Sequence, residues 1–273
     1  MISINSNVSA LNSLINLNRV QLQLSNAFLQ LSTGQKINSA SDNAASLAIS
    51  ESLRADLRSV QQVQRNALDG VSLAGVAEGA LGEQQEILGR LRELALQSSS
   101  GTLSADQRAL IQDEFNALRE EVTRISDTTE FNGTNLINGD IADGLEIQAD
   151  TDASTAVSLR LEDSDAEALG LEDVDVSSQS GAQSALAAID QASADVSRAR
   201  SSVGSFQNRL ESAISTLQTR ELNLTQAYST IRDADFASVV ADKVRGSILQ
   251  SANIAVLGQA SIQHQTVLRL LQP

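Results

Sequence analysis

The chain has 273 residues, a formal net charge of −15 and only 2% aromatic residues, so a core has to be built from Leu, Ala, Val and Ile. The acidic balance disfavours nucleic acid as a partner because a phosphate backbone repels it. The lack of Cys and the single His disfavour a zinc site or a cysteine nucleophile, and we expect no enzymatic activity, cofactor or metal.

The first segment, residues 1–45, contains only three charged residues, Arg19, Lys36 and Asp42. Its apolar residues point around most of a helical circumference, and a helix of this kind is not soluble alone. The segment is therefore predicted to be a helix that is buried against a partner.

A heptad repeat of apolar residues follows, which is typical of a supercoiled helix. The row consists of Leu53, Val60, Ala67, Ala74, Leu81, Leu88 and Ala95. A shorter helix is predicted after Gly101, because Ser104 and Gln107 fit a capping box. Its apolar positions are Ile111, Phe115, Leu118, Val122 and Ile125.

The pattern then changes to turns and alternation. Asn132-Gly133 and Asn138-Gly139 are turn dipeptides, and two stretches between 145 and 161 alternate apolar with polar residues. We expect one small β-hairpin near 145–161, as the only strand structure. Residues 140–176 contain twelve acidic residues and one basic residue, which favours a solvated surface.

A second heptad repeat predicts another long helix, antiparallel to the first. The row consists of Ala182, Ile189, Val196, Val203, Leu210, Leu217, Leu224 and Ile231. The expected fold class is therefore mainly α: an antiparallel coiled-coil rod, residues 46–231, with one hairpin and paired terminal helices.

The last segment, residues 232–273, is again apolar, and Phe236, Val240, Val244 and Ile248 form part of one stripe. Each end has a net charge of +1, so residues 46–231 carry −17. Residues 1–45 and 232–273 are predicted to pack together and against other copies, a contact that repeats into a helical filament. The polar positions of the ends are Asn, Gln and Ser rather than Lys and Arg, which disfavours membrane binding. The residues expected to make assembly contacts are Leu14, Leu17, Leu24, Phe28, Leu31, Val240, Val244, Ile248, Ala255, Ile262, Leu268 and Leu271.

Long motifs at both ends resemble those of bacterial flagellins, the subunits of the flagellar filament. At the start these are residues 4–7, 31–34 and 37–45, and at the end residues 231–236, 248–250 and 267–271. The chain lacks the large outer domains that typical flagellins insert after Leu171, so it resembles a minimal flagellin.

The resemblance implies an extracellular filament subunit for motility, exported unfolded by the flagellar type III system. It places residues 1–45 and 232–273 in an inner tube and implies a cap, junction proteins and an export chaperone as partners. Residues 88–97 look like the flagellin segment recognised by Toll-like receptor 5, with Arg90, Leu94 and Glu114 as matching contact residues. A hook-filament junction protein and a monomeric coiled-coil scaffold remain as alternatives.

Overall fold

The computed structural model describes residues 7–152 and 155–270, without the side chains of 264, 265 and 267–270. Within these ranges the helices are α1 (Val8–Thr33), α2 (Ala40–Ser98), α3 (Ala105–Thr128), α4 (Gln179–Arg232) and α5 (Phe236–Leu270). The strands are β1 (Glu130–Phe131), β2 (Thr134–Asn135), β3 (Leu145–Gln148) and β4 (Ala156–Leu159). The prediction of a mainly α-helical chain with a small hairpin is confirmed.

The chain divides into two compact units, which we call the terminal unit (residues 1–57 and 223–273) and the middle unit (residues 58–222). The long helices α2 and α4 each contribute to both units. Each unit has its own set of buried side chains, described separately below.

In the middle unit, α2 and α4 run antiparallel, as the heptad rows predict. Gln85 Nε2 donates to Ser193 Oγ at 2.6 Å, and seven residues further along α2, Arg92 pairs with Asp190 at 2.7 Å. The heptad rows form the buried seam between the two helices. Its members include Val60, Ala67, Ala74, Leu81, Leu88 and Ala95 on α2, and Ala182, Ile189, Val196, Val203 and Leu210 on α4.

Helix α3 begins with the predicted capping box: Gln107 N donates to Ser104 Oγ at 3.3 Å, and Ser104 N donates to Gln107 Oε1 at 2.9 Å. The helix returns antiparallel along α2, where the buried Gln84 donates to the carbonyl oxygen of Val122 at 3.2 Å. Its apolar face includes Phe115, which is completely buried.

The predicted hairpin is formed by β3 and β4, paired antiparallel with Leu145 opposite Leu159 and Gln148 opposite Ala156. Leu159 is buried in the core of the middle unit and anchors the hairpin there. The expectation that this is the only strand structure is wrong. Strands β1 and β2 form a second, shorter hairpin, because Asn132 and Gly133 both adopt positive φ (52° and 79°) and close a two-residue turn.

In the terminal unit, α1 and α5 pair antiparallel. Asn7 Nδ2 donates to the carbonyl oxygen of Ala260 at 3.0 Å, and Gln250 Nε2 donates to Gln21 Oε1 at 2.6 Å. The unit also contains the beginning of α2 and the end of α4.

Candidate assembly surface and receptor segment

The seam between α1 and α5 is narrow and contains few buried side chains. Its buried members are Ser13, Val20, Leu24 and Ala27 on α1, and Val239, Gly246 and Ala260 on α5. The helices approach closely at Gly246, where an added Cβ would lie 3.5 Å from Leu24 Cδ1. A seam of this kind buries little of the apolar surface of either helix.

Most of the large apolar side chains of the pair therefore face outward, with exposed fractions between 43% and 68%. We call this set the apolar terminal face. It consists of Val8, Leu11, Leu14, Ile15, Leu22, Phe28 and Leu29 on α1, and Phe236, Val240, Val244, Ile248, Leu249, Ile254, Val256 and Ile262 on α5. Soluble monomers rarely expose apolar patches larger than a few hundred Å² unless the patch is an interaction site.

The structure distributes the residues predicted for assembly over three environments. Leu24 is buried within the chain, so it holds α1 to α5 rather than facing a second copy, and Leu17 and Leu31 are half-buried. The exposed members are Leu14, Phe28, Val240, Val244, Ile248, Ala255 and Ile262. The side chain of Leu268 and the whole of Leu271 lie outside the described residues.

Three of the motifs that carried the family resemblance, residues 31–34, 37–45 and 231–236, contain turns and caps next to these helices. Gly34 ends α1 in the left-handed conformation with φ of 69°, and Asp235 caps α5 by accepting from Ala237 N at 3.0 Å. Asn43 adopts extended backbone within α2 and caps the rest of that helix through Ser46 N at 3.0 Å. Backbone hydrogen bonds from Ser39 and then Asn38 lower the pKa of Asp42. Gly34, Asn43 and Asp235 therefore have local structural roles at helix ends.

In the predicted receptor segment, the structure brings Arg90 and Glu114 together. Arg90 Nη2 lies 2.8 Å from Glu114 Oε1, and both side chains are about half exposed. The hydrogen bond to Glu114, followed by one to Glu93, raises the pKa of Arg90. Leu94, by contrast, is only 1% exposed and belongs to the core of the middle unit. Its side chain is therefore not part of a surface with Arg90 and Glu114.

Among the residues that the structure describes, no group of three or more His, Asp or Glu side chains is placed to hold a metal ion. In the same part of the chain, no helix combines the length and the apolar character that a membrane crossing requires.

Two family models match the chain. Residues 4–142 match the bacterial flagellin N-terminal helical region, and residues 186–271 match the bacterial flagellin C-terminal helical region. The chain is 42% identical to a flagellin from Halalkalibacterium halodurans over 98% of this chain and 99% of that relative. It is 37% identical to a flagellin from Bacillus subtilis and 36% identical to a flagellar filament core protein from Brachyspira hyodysenteriae, each with the same coverage of both chains.

Solved structures of flagellar proteins are also similar in fold to this chain. The crystal structure of Bacillus cereus flagellin matches 56% of this chain and 88% of its own length, with a TM-score of 0.50 and 28% identity. A putative flagellar hook-associated protein from Vibrio parahaemolyticus has a TM-score of 0.60 over 70% of this chain and all of its own, but at 16% identity it shows a common fold alone. The family models, the full-length relatives and the fold together establish that this chain belongs to the bacterial flagellin family.

Proposed function

We propose that copies of this chain polymerise through the apolar terminal face, and that this contact builds the core of the flagellar filament. As a flagellin, the chain is a structural subunit of the extracellular flagellar filament for swimming motility, not an enzyme. Residues 1–45 and 232–273 would form the inner tube of that filament and residues 46–231 the surrounding rod.

The observation that carries the proposal is the exposure of the large apolar side chains of α1 and α5. Burial of one Val, Leu, Ile or Phe side chain contributes about 1.5–3 kcal/mol. Several such side chains per copy, covered by neighbouring copies, supply a favourable free energy of association that is repeated along the filament. The net charge of −17 on residues 46–231 opposes association, so we expect the critical concentration for polymerisation to fall as salt screens that charge.

The proposal is tested by removing one apolar side chain from the face. Ile248→Ser removes a side chain that is 64% exposed on α5, and Leu110→Ser is a matched control, because Leu110 is 70% exposed on α3. Sedimentation of seeded polymerisation reactions measures the critical concentration of each variant. We expect a rise of at least about tenfold for Ile248→Ser and little change for Leu110→Ser. Equal critical concentrations for the two variants would contradict the proposal.

Export as an unfolded chain is part of the same proposal. The absence of Cys excludes disulfides that would obstruct threading, and the one proline, Pro273, adds a single site of slow isomerisation. A flagellar cap, junction proteins and an export chaperone would be its partners. We expect the chain to accumulate inside cells that lack a flagellar type III export apparatus and to be secreted when the apparatus is restored. Secretion without that apparatus would argue against this route.

Recognition by Toll-like receptor 5 is a further proposal, supported by the exposed Arg90–Glu114 pair. This pair presents a charged, hydrogen-bonded surface to a partner, while Leu94 supports that surface from the core. In a receptor-reporter assay with purified monomer, we expect Arg90→Ala and Glu114→Ala to weaken signalling. Arg92→Ala is the control, because Arg92 is similarly exposed on the same helix and pairs with Asp190 on α4. Equal effects of Arg90→Ala and Arg92→Ala would refute a specific contact.

A further inference from the structure

Arg232, the last residue of α4, is the one charged residue buried within the described part of the chain, with 8% of its surface exposed. Burying a guanidinium is unfavourable unless hydrogen bonds and an opposite charge replace the lost water. Its partners therefore indicate what an arginine contributes at this position.

Three side chains accept hydrogen bonds from the Arg232 guanidinium. Nη1 donates to Glu51 Oε1 at 2.5 Å and to Ser50 Oγ at 3.2 Å, while Nε donates to Gln35 Oε1 at 3.1 Å. Ser50 is itself completely buried and donates its hydroxyl to the carbonyl oxygen of Leu47 at 2.8 Å, which leaves its lone pairs for Arg232. The guanidinium thus joins the end of α4 to α2 and to the segment between α1 and α2.

The backbone makes a second connection at the same place. Lys36 N donates to the carbonyl oxygen of Arg232 at 2.7 Å, and Ala234 N donates to that of Gly34 at 2.9 Å. Gln35 and Asp233 consequently face each other in a short antiparallel bridge. Residues 34–39, which we call the N-terminal linker, are therefore bonded to the α4–α5 junction by both backbone and side chain.

From this geometry we infer that Arg232 is a positioning residue that locks the N-terminal linker to the α4–α5 junction, so that both terminal helices become ordered together. The inference rests on the proposed function, in which those two helices carry the assembly surface. Arginine is required because its planar fork bonds several acceptors at fixed angles, whereas a lysine ammonium supplies a compact charge without that geometry.

Arg54 provides a matched comparison. It faces the same carboxylate, with Nη1 3.8 Å from Glu51 Oε2, but its side chain is 49% exposed. Exposed ion pairs of this kind contribute little to stability because water and salt screen them. Arg54→Met therefore removes a positive charge that faces the same carboxylate, but leaves the hydrogen bonds of Arg232 in place.

The experiment uses the full-length chain and four variants: Arg232→Met, Arg232→Lys, Arg54→Met and Glu51→Gln. Amide hydrogen exchange of residues 34–39 is measured in the monomer and in the filament, and the critical concentration for polymerisation is measured by sedimentation. We expect Arg232→Met and Arg232→Lys to accelerate exchange in the linker and to raise the critical concentration about tenfold. Glu51→Gln should have a smaller effect in the same direction, and Arg54→Met should stay within about twofold of the parent chain.

Three results would contradict the inference that Arg232 positions the N-terminal linker. The first is full restoration of parent behaviour by Arg232→Lys, since charge alone would then suffice. The second is an equal effect of Arg54→Met and Arg232→Met. The third is a linker that exchanges without protection in both monomer and filament of the parent chain. Failure of the parent chain to polymerise at all would instead contradict the proposed function. The comparison of linker exchange between Arg232→Met and Arg54→Met would still test the role of Arg232 in that case.

Discussion

Three glycines of α2 with open space at the Cβ position should limit the stability of the middle unit. Gly75, Gly82 and Gly89 are spaced by seven residues, and a Cβ added at any of them would meet no atom within 4 Å. Gly in a helix interior is less favourable than Ala by about 0.5–1 kcal/mol, because the unfolded chain loses more backbone freedom on folding.

Replacing all three glycines by alanine should therefore raise the free energy of unfolding of the middle unit by about 1.5–3 kcal/mol. Seven residues of helix separate neighbouring sites by about 10 Å, a distance at which such effects add. The gain is measured by urea denaturation of the full-length monomer, followed by circular dichroism at about 222 nm, which reports helix content.

Gly70→Ala is the control on the same helix, since its new Cβ would lie 2.9 Å from Leu210 Cδ1 and 3.3 Å from Ile147. This variant should be no more stable than the parent chain, and we expect it to be less stable because the crowded side chains must move. The reasoning would be refuted if the triple variant showed no increase in the free energy of unfolding. It would also be refuted if Gly70→Ala raised that free energy as much as each of the three open sites does.

Phe115→Ala should destabilise the middle unit by about 3–5 kcal/mol, because the ring is completely buried, and a loss below about 1 kcal/mol in the same denaturation assay would contradict its place in the core. Ser104→Ala should cost about 1 kcal/mol through loss of the α3 cap, whereas Ser201→Ala, on the exposed side of α4, should be neutral. The pKa of Asp42 is lowered, so its ionised form stabilises the linker at pH values above its ordinary pKa of 3.8. This contribution is lost as the pH falls through the lower folded-state pKa. Asp42→Asn should therefore increase amide exchange in residues 34–39 at neutral pH and match the parent chain in acid, and an equal difference at both pH values would refute this assignment.

The long helices were predictable because their packing requires a heptad repeat of apolar residues. Val60 and Leu81 on α2, and Ile189 and Leu210 on α4, all occupy the seam that the rows predicted. The capping box at Ser104 and the β3–β4 hairpin were equally visible, since each depends on residues close in sequence. The β1–β2 hairpin was missed because strands of two residues are too short to show alternation.

The arrangement of the terminal unit was less accessible from the sequence. Its helices are apolar nearly all round, so periodicity could not identify the side that meets the partner helix. The stripe through Val240, Val244 and Ile248 is exposed, and the seam runs instead through Val239 and Gly246. The burial of Arg232 could not be predicted from the sequence either, because an arginine at a helix end is usually solvated. Its hydrogen-bond partners lie about 180 to 200 residues away along the chain.

For Leu94, resemblance suggested a contact residue and the structure places it in the core. The sequence did contain a sign of this burial, since Leu94 precedes the heptad position Ala95 and lies three residues after another leucine, Leu91, which is also buried in the structure. A leucine beside the seam is buried when its helix packs on a second neighbour, and the same core includes Phe115 of α3.

The central claim, that the apolar terminal face is covered by other copies in the filament, is tested most directly by thiol labelling. The chain contains no Cys, so Val244→Cys on the face and Thr151→Cys, at an exposed position between β3 and β4, each provide a single reactive thiol. Labelling rates are compared between monomer and filament for each variant. We predict that polymerisation protects Val244→Cys at least about tenfold, which corresponds to about 1.4 kcal/mol, and leaves Thr151→Cys unchanged. Equal labelling of Val244→Cys in monomer and filament would contradict the claim.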